Sequence, residues 1–251
     1  MGRYLKFSYS IIGYILSIST LSFLILWVYP WDFMKYNIDT PMIDLALNPI
    51  LVNISLLLFF ALQHSIMARS FFKDGLLKDI SYGVKSASYS VASSICLILI
   101  FYFWQPIDGY IWNFQDDVTN WIIAIIYIGG WAIAFLATFI IDHFELFGLH
   151  QGYRAFKNIP EPQIKFQISY FYKYIRHPIQ AGTLIGLWAT PHMGYSHLLL
   201  SVGMTIYVLI GLHYEEKNLI TTFGKEYDDY IKNTPMLIPF INRKEQNFAE
   251  R

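Results

Sequence analysis

Long apolar stretches without charged residues dominate the pattern of hydrophobic and polar positions along this chain. Each of the first four contains about 20 residues, the length that a helix needs to cross the hydrocarbon core of a bilayer. They cover residues 8–29, 45–67, 86–104 and 121–141. The pattern therefore predicts four membrane-spanning helices in this part of the chain.

The apolar pattern after Pro178 is interrupted at residues 191–195, which include a proline and a glycine. The first arm, residues 179–190, would form only about 18 Å of helix and is short for an independent span. The second arm continues to His213. We predict a helical hairpin with a short or tilted first arm, so that the chain has about six membrane segments; whether the short arm crosses fully stays open.

A last apolar stripe, formed by Leu219, Phe223 and Tyr227, recurs every four residues between positions 215 and 230. This spacing predicts an amphipathic C-terminal helix that packs against the membrane domain or the bilayer interface. The predicted fold class is therefore all-α: a polytopic bundle of membrane helices in a single domain.

Composition supports lipid as the solvent of this bundle. Hydrophobic residues make up 55% of the chain and charged residues only 14%, whereas an ordinary soluble domain carries about 25% charged residues. If the N-terminus is cytoplasmic and six segments alternate, 17 of the 18 Lys and Arg residues lie on the cytoplasmic side and only Lys35 lies outside. Both termini are therefore predicted to face the cytoplasm. This basic face suits anionic lipids and does not call for nucleic acid.

Several kinds of site are disfavoured. The single cysteine, Cys96, excludes a disulfide within the chain and a thiolate metal cluster. No HExxH motif is present and the histidines lack i,i+4 pairing on one helix, so we predict no metal site. Neither GxGxxG nor a Walker loop occurs. Five tryptophans near the predicted outer boundary are expected to be interface anchors: Trp27, Trp31, Trp104, Trp112 and Trp121.

Polar residues gather where the predicted helices reach the cytoplasmic side. Short side chains cannot extend to the aqueous interface as Lys and Arg do, and ionisable groups near a membrane core are candidates for function. The predicted pocket is formed by His64 and Arg69 after the second span, Asp142 and His143 after the fourth, Arg176 and His177 before the fifth, and Tyr214, Glu215 and Glu216 after the sixth.

The segment Arg176-His177-Pro178 suggests how a helix could bind an anion. Proline fits the first turn of a helix, and the free N–H groups of that turn attract a carboxylate. Arg176 would add a bidentate partner. The small residues Ala181 and Gly182 would let a ligand approach closely, although a simple proline-capped helix explains the same residues.

Three segments resemble the C-terminal half of the isoprenylcysteine carboxyl methyltransferase superfamily: RHPIQAG at 176–182, EEKNL at 215–219 and FGKEYDDY at 223–230. Further segments resemble its nurim-like branch, which includes the bacterial methanethiol S-methyltransferases: QHSIMAR at 63–69, DHFELFGL at 142–149, ATPHM at 189–193 and PML at 235–237. Gln180 replaces the tyrosine usual in the wider family, and Met236 replaces the arginine usual in the prenylcysteine enzymes. The second departure argues against the prenylcysteine subfamily.

The resemblance implies a single integral membrane methyltransferase domain, residues 1–251, in a bacterial cytoplasmic membrane. Its cofactor-binding half would cover about 170–240, with S-adenosylmethionine as methyl donor and S-adenosylhomocysteine as product. The residues implied to contact the donor are Arg176, His177, Pro178, Gln180, Gly182, Tyr214, Glu215, Glu216 and Tyr227. In this scheme Glu215 holds the ammonium group, Arg176 holds the carboxylate, and the tyrosines flank the adenine or the sulfonium.

The acceptor implied by the nurim-like branch is a small thiol, methanethiol, which would become dimethyl sulfide. A thiolate attacks far better than a thiol, so a base or a cation near the thiol is expected. The candidates are His64 or His143 as base, Asp142 or Glu145 to orient the imidazole, and Arg69 as the cation. The alternatives are methyl transfer to a lipid amine or a prenylcysteine carboxylate, and a non-catalytic nurim-like membrane protein.

Overall fold

The computed structural model describes residues 2–69, 72, 75, 80–162 and 166–239. Five of its helices are long and apolar enough to cross a membrane: α1 (Arg3–Val28), α2 (Pro49–Ala68), α3 (Tyr82–Phe103), α4 (Asp117–Ile141) and α8 (Tyr195–Phe223). The first four correspond to the four predicted spans. Their outward faces are apolar, as in the exposed Leu51 and Ile125. The all-α membrane bundle predicted from the sequence is therefore confirmed.

Shorter elements complete the fold. They are α5 (His143–Leu146), α6 (Leu149–Lys157), a 3-10 helix (Tyr170–Lys173), α7 (Pro178–Trp188) and α9 (Lys225–Asn233), with two antiparallel strands, β1 (Tyr110–Asn113) and β2 (His192–Gly194). The first arm of the predicted hairpin is α7, which has only 11 residues. Six of the cations predicted to be cytoplasmic lie outside the described residues: Lys73, Lys78, Lys165, Arg243, Lys244 and Arg251.

Local sequence explains where these helices begin and end. The Asn48 side chain accepts hydrogen bonds from the first turn of α2, and Asp116 caps α4 in the same way. Pro178 occupies the first position of α7, as predicted. The predicted amphipathic segment is divided, because α8 continues to Phe223 and Gly224, with a φ of +59°, separates it from α9.

Close packing of α4 against α7 fixes the short helix in the bundle. A Cβ atom added to Gly182 would lie 2.6 Å from the backbone nitrogen of Ala134 and even closer to the carbonyl oxygen of Gly130. A Cβ added to Gly186 would lie 2.5 Å from the indole of Trp131. Small residues at such crossings let two helix backbones approach each other in a membrane. The glycines of α7 thus hold this helix against α4.

The end of the bundle opposite the polar residues is closed by a dense cap. Trp27 and Trp104 are each only 1% exposed and pack edge to face, with ring centroids 6.1 Å apart. The expectation that they are interface anchors is therefore wrong. The loops fold back over the helix ends: the Asn53 amide donates to the carbonyl of Gln105 at 2.7 Å, and the Trp112 indole donates to the carbonyl of Thr190 at 2.9 Å. Both tryptophans belong to the buried hydrophobic core at this end of the bundle.

Candidate functional site

A buried charge cluster joins the start of α7 to α8. The Nε of Arg176 lies 2.6 Å from Oε1 of Glu216, and the Nε2 of His177 lies 3.1 Å from the same oxygen. The side chains of Arg176, His177 and Glu216 are 0%, 4% and 12% exposed, respectively. A charge pair so poorly hydrated needs hydrogen bonds to remain stable. The structure therefore brings together three residues that the sequence motifs had placed in one site.

Arg176 is also tied to the end of α9. Its Nη1 donates to the backbone carbonyls of Ile231 and Thr234, and its backbone N–H donates to the carbonyl of Pro235 at 2.9 Å. These bonds use the donors that the sequence had assigned to a ligand carboxylate. Nη2 is left buried and without a hydrogen-bond partner among the described residues. Arg176 therefore anchors the C-terminal segment and retains one buried donor.

Glu215 occupies a more open position beside this cluster. Part of its side chain is exposed to solvent, yet its carboxylate lies in a recess crowded by protein atoms, where burial is the main influence on its charge and His177 and Glu216 also act on it. Burial raises the pKa of Tyr172 in the 3-10 helix, and the nearby Glu215 carboxylate adds to this increase. An accessible carboxylate next to a buried ion pair can hold a cationic group of a ligand.

Aromatic rings form one wall of this region. Tyr227 is 3% exposed, and its ring lies 5.8 Å from that of Phe166 and 5.7 Å from that of Tyr230. Burial raises the pKa of Tyr230 to about 12, opposed by the nearby Arg176 guanidinium. Tyr214 is different, because it is 44% exposed and lies under the Arg69 guanidinium, 4.5 Å from ring centroid to Cζ. The two tyrosines predicted to flank one ligand thus occupy different environments.

Two further predicted residues of α7 have distinct surroundings. Gln180 is partly exposed in the first turn after Pro178. Gly182, in contrast, is buried where α7 crosses α4, and the space beside its Cα is filled by Gly130 and Ala134. The expected close approach of a ligand at Gly182 does not match this packing. Its small size serves contact between two helices.

A second polar cluster surrounds His64 on α2. Its Nδ1 lies 3.0 Å from the Ser93 hydroxyl, and its Nε2 lies 2.5 Å from the Tyr89 hydroxyl; both partners are on α3. The imidazole stacks on Phe60 with centroids 5.3 Å apart and meets the edge of Tyr207 of α8 at 6.2 Å. Sequence reasoning missed Tyr89 and Tyr207. The available signal was the group of polar residues, including Ser93, inside an apolar span.

The two clusters meet through α8. The His64 imidazole meets the ring of Tyr207, and the Arg69 guanidinium lies over Tyr214, the residue before Glu215. The hydroxyl of Tyr207 also accepts a hydrogen bond from Ser65 at 3.5 Å. His64 on α2 and Arg69 just after that helix therefore border the same region as Glu215 on α8. The order of residues along the chain suggests this proximity but does not establish it.

His143 lies in a different environment. Its Nε2 lies 3.0 Å from the Tyr14 hydroxyl and its Nδ1 lies 2.7 Å from the Thr138 hydroxyl, and it stacks on Phe139 at 4.2 Å. It is 3% exposed. Burial lowers the pKa of this imidazole, although the Asp142 carboxylate opposes the shift. The contacts of His143 therefore lie on α1, α4 and α5, whereas those of His64 lie on α2, α3 and α8.

The carboxylates expected to orient a catalytic imidazole have other partners. Asp142 caps α5 and lies 3.0 Å from the Nδ1 of His150. Glu145 accepts two hydrogen bonds from Arg154, at 2.7 and 2.8 Å. One ligand atom from each of Asp142, Glu145 and His150 lies within 4.8 Å of the others, a spacing compatible with a metal ion. The guanidinium of Arg154 already neutralises Glu145, however, which makes this group a poor cation site.

Taken together, the helices, their apolar outer faces and the polar ends define a polytopic membrane protein with two adjoining polar clusters on one side. Within that class, the chain belongs to the NnrU protein family, whose pattern matches residues 52–238. No solved structure matches the chain.

Several curated proteins are similar over most of their length. The methanethiol S-methyltransferase of Crocosphaera subtropica is 38% identical over 212 residues, which cover 84% of this chain and 83% of that protein. The methanethiol S-methyltransferase of Mycobacterium tuberculosis is 34% identical over 248 residues, 97% of this chain and 99% of that protein. Nurim of Xenopus laevis is 31% identical over 166 residues, 62% of this chain and 58% of that protein.

Proposed function

We propose that this protein is a membrane methyltransferase that transfers a methyl group from S-adenosylmethionine to a small thiol, with methanethiol as the first candidate acceptor. The products would be dimethyl sulfide and S-adenosylhomocysteine. The observation that carries the proposal is the position of Glu215 on α8, where it directly precedes Glu216 of the first cluster and directly follows Tyr214, whose ring lies under the Arg69 guanidinium beside the second cluster. The names of the relatives support the reaction class.

The residues around α7 and α8 fit an amino acid carrying a sulfonium. The buried Nη2 of Arg176 offers a donor to a carboxylate, beside the first turn of α7 that begins at Pro178. The accessible carboxylate of Glu215 suits an ammonium group, and the aromatic wall at Tyr227 suits an adenine or a sulfonium. When bound, S-adenosylmethionine supplies an electrophilic methyl group. We do not include Gly182 among the contacts, because α4 covers it.

Of the two candidate bases, the geometry favours His64. Its ring contacts Tyr207 of α8, the helix that carries Glu215, whereas His143 is enclosed by Tyr14, Thr138 and phenylalanine rings. In this proposal His64 takes up the thiol proton. Arg69, next to Tyr207 and over Tyr214, adds positive charge that favours a thiolate.

We further propose that the two clusters face the cytoplasm of a bacterium, where S-adenosylmethionine is made, and that the acceptor arrives from the surrounding lipid or water. The basic bias of the loops supports this orientation. Methanethiol is small enough to need no opening for a long chain, unlike a lipid amine or a prenylated cysteine.

The test is methyl transfer by the purified protein in detergent. Labelled S-adenosylmethionine and methanethiol should give volatile dimethyl sulfide, and binding of S-adenosylhomocysteine is measured separately by calorimetry. Glu215→Ala should reduce both the binding and the turnover, because an accessible carboxylate is lost from the ligand site. Glu226→Ala is the matched control, since Glu226 is also exposed but lies on α9.

The outcomes separate the alternatives. If the protein binds S-adenosylhomocysteine but does not methylate the thiol, methanethiol is not its acceptor. Turnover of a lipid amine or a prenylcysteine would then identify the class of methyl acceptor. Absence of both binding and turnover in the wild-type protein would contradict the proposal and favour a non-catalytic membrane protein. Equal effects of Glu215→Ala and Glu226→Ala would remove Glu215 from the site.

A further inference from the structure

The hydrogen bonds of His64 leave neither ring nitrogen available to a substrate. Nδ1 is bonded to Ser93 and Nε2 to Tyr89, at 3.0 and 2.5 Å. Phe60 also stacks on the imidazole, with ring centroids 5.3 Å apart. A thiol therefore cannot meet an imidazole nitrogen directly unless one of these hydroxyls is displaced. Any proton that reaches His64 without such a displacement passes through a hydroxyl group.

Tyr89 is the hydroxyl on the side of the ligand site. Tyr89 lies one turn of α3 nearer than Ser93 to Tyr82, where this helix begins at the polar end of the bundle, and the imidazole that it bonds also meets the edge of Tyr207 of α8. Ser93 has instead a contact with Gln63, whose amide nitrogen lies 3.5 Å from its oxygen, on the same helix as His64. Tyr89 is thus the partner of His64 nearer to the polar end of the bundle, where Glu215 lies.

We infer that Tyr89 is a catalytic residue that accepts the proton of the thiol and passes its own proton to Nε2 of His64. The inference rests on the proposed function and deepens it. It requires the tautomer in which Nδ1–H donates to Ser93 and the Tyr89 hydroxyl donates to Nε2, an arrangement that both observed distances permit.

The S–H bond of the thiol breaks and a new O–H bond forms on Tyr89, while the former O–H bond of Tyr89 breaks and an N–H bond forms at Nε2. The products are a thiolate and an imidazolium, and the neutral phenol is restored. His64 is therefore the final base, and Tyr89 is the group that contacts the acceptor. Among the described residues, the carboxylate of Glu215 on α8 and the guanidinium of Arg69, which follows α2, are charged groups that act on this region.

The first measurement needs no methyl donor. Methanethiol is added to the wild-type protein near neutral pH, and the ultraviolet absorbance of the bound thiolate is recorded. The wild type should show this absorbance, and Tyr89→Phe should lose it while keeping its elution volume and thermal unfolding midpoint. Tyr9→Phe is the matched control, because it removes another hydroxyl that bonds to α3, at Ser88 and 3.1 Å. Tyr9→Phe should retain the absorbance.

The second measurement uses acceptor acidity. Tyr89→Phe should methylate methanethiol about 10²- to 10⁴-fold more slowly than wild type, the range typical of general acid–base catalysis. The defect should shrink for methaneselenol, which is ionised near neutral pH, and it should also shrink as the pH rises. Binding of S-adenosylhomocysteine should not change.

Each contrary result is decisive. An equal loss of rate for the thiol and the selenol would show that Tyr89 has a structural role only. Full thiolate absorbance in Tyr89→Phe would overturn the relay. If the wild-type protein bound and ionised the thiol but transferred no methyl group, the proposed function would fail while the relay remained. If the wild type produced dimethyl sulfide without a Tyr89-dependent thiolate, the relay alone would fail.

Discussion

At the scale of single residues, the carboxylate of Glu216 is the junction of the site. One oxygen serves both Arg176 and His177, and the Arg176 guanidinium then reaches the carbonyls at the end of α9. Removal of one partner from a buried ion pair leaves the other charge in a poorly hydrated place. Glu216 therefore supports the position of α9 as well as the local electrostatics.

The variant Glu216→Gln should lower the free energy of unfolding by about 3–5 kcal/mol, because Arg176 keeps its charge and loses its counterion. Thermal unfolding in detergent measures the change. Lys232→Gln is the comparison, since its pairs with Asp228 and Asp229 are exposed and should matter little. An unchanged midpoint for Glu216→Gln would contradict the role of this ion pair.

The sequence revealed some of these residues and not others, for physical reasons. His177 and Glu216 belong to short motifs at helix ends, and the structure places them in contact. Tyr89 was missed because a tyrosine in an apolar span also occurs as a packing residue, and only its distance from His64 distinguishes it. Gly182 was misassigned because a small residue fits a ligand and a helix crossing equally well.

At the scale of secondary-structure elements, the contact between α4 and α7 positions the site. A Cβ atom on Gly130 would lie 2.9 Å from the carbonyl oxygen of Gly182 and 2.7 Å from the side chain of Ile185. The start of α7 is also held by the bond of Arg176 to Glu216 and by backbone bonds to the segment after α9. The spacing of α4 and α7 therefore acts together with these bonds to position Arg176 and His177.

The variant Gly130→Ala should destabilise the protein by about 1–3 kcal/mol, because the added methyl group forces the two backbones apart. The midpoint of thermal unfolding should fall, and the binding of S-adenosylhomocysteine should weaken. Gly129→Ala changes the adjacent residue of the same helix, where an added Cβ meets no atom within 4 Å. This control should be neutral or slightly stabilised, and an equal effect of both variants would contradict the close crossing.

Helix locations followed from hydrophobic runs and from capping residues such as Asn48 and Pro178, which act locally. The break between α8 and α9 was not predicted, since the apolar stripe continues across Gly224 at helical spacing. The burial of Trp27 and Trp104 was not predicted either, because it depends on how distant loops fold over them. Sequence periodicity carries no information about such long-range covering.

At the scale of the whole molecule, the protein has a dense apolar cap at one end and charged clusters at the other. The cap contains the strands and the ring pairs around Trp104, whereas Arg176, Glu215 and Arg154 lie at the opposite ends of the helices. The distribution of Lys and Arg predicts that the charged end faces the cytoplasm.

Cysteine labelling tests this orientation. In a Cys96→Ala background, which removes the native thiol, Lys35→Cys should react with a membrane-impermeant maleimide added to intact cells. Lys217→Cys should react only after the membrane is permeabilised, because it follows the predicted cytoplasmic end of the last span. Both parent lysines are exposed, so access is comparable. The reverse labelling pattern would invert the proposed topology.

The length of α8 has a mechanical consequence. Its 29 residues measure about 43 Å, well beyond the roughly 30 Å of a hydrocarbon core. Glu215 and Glu216 therefore belong to the same rigid rod that lies in lipid, and Glu216 is fastened to α7. A thinner or thicker bilayer should tilt such a rod, and we expect this tilt to act on the Arg176–Glu216 pair that joins it to α7. We therefore expect the thickness of the surrounding membrane to affect the geometry of the proposed ligand site.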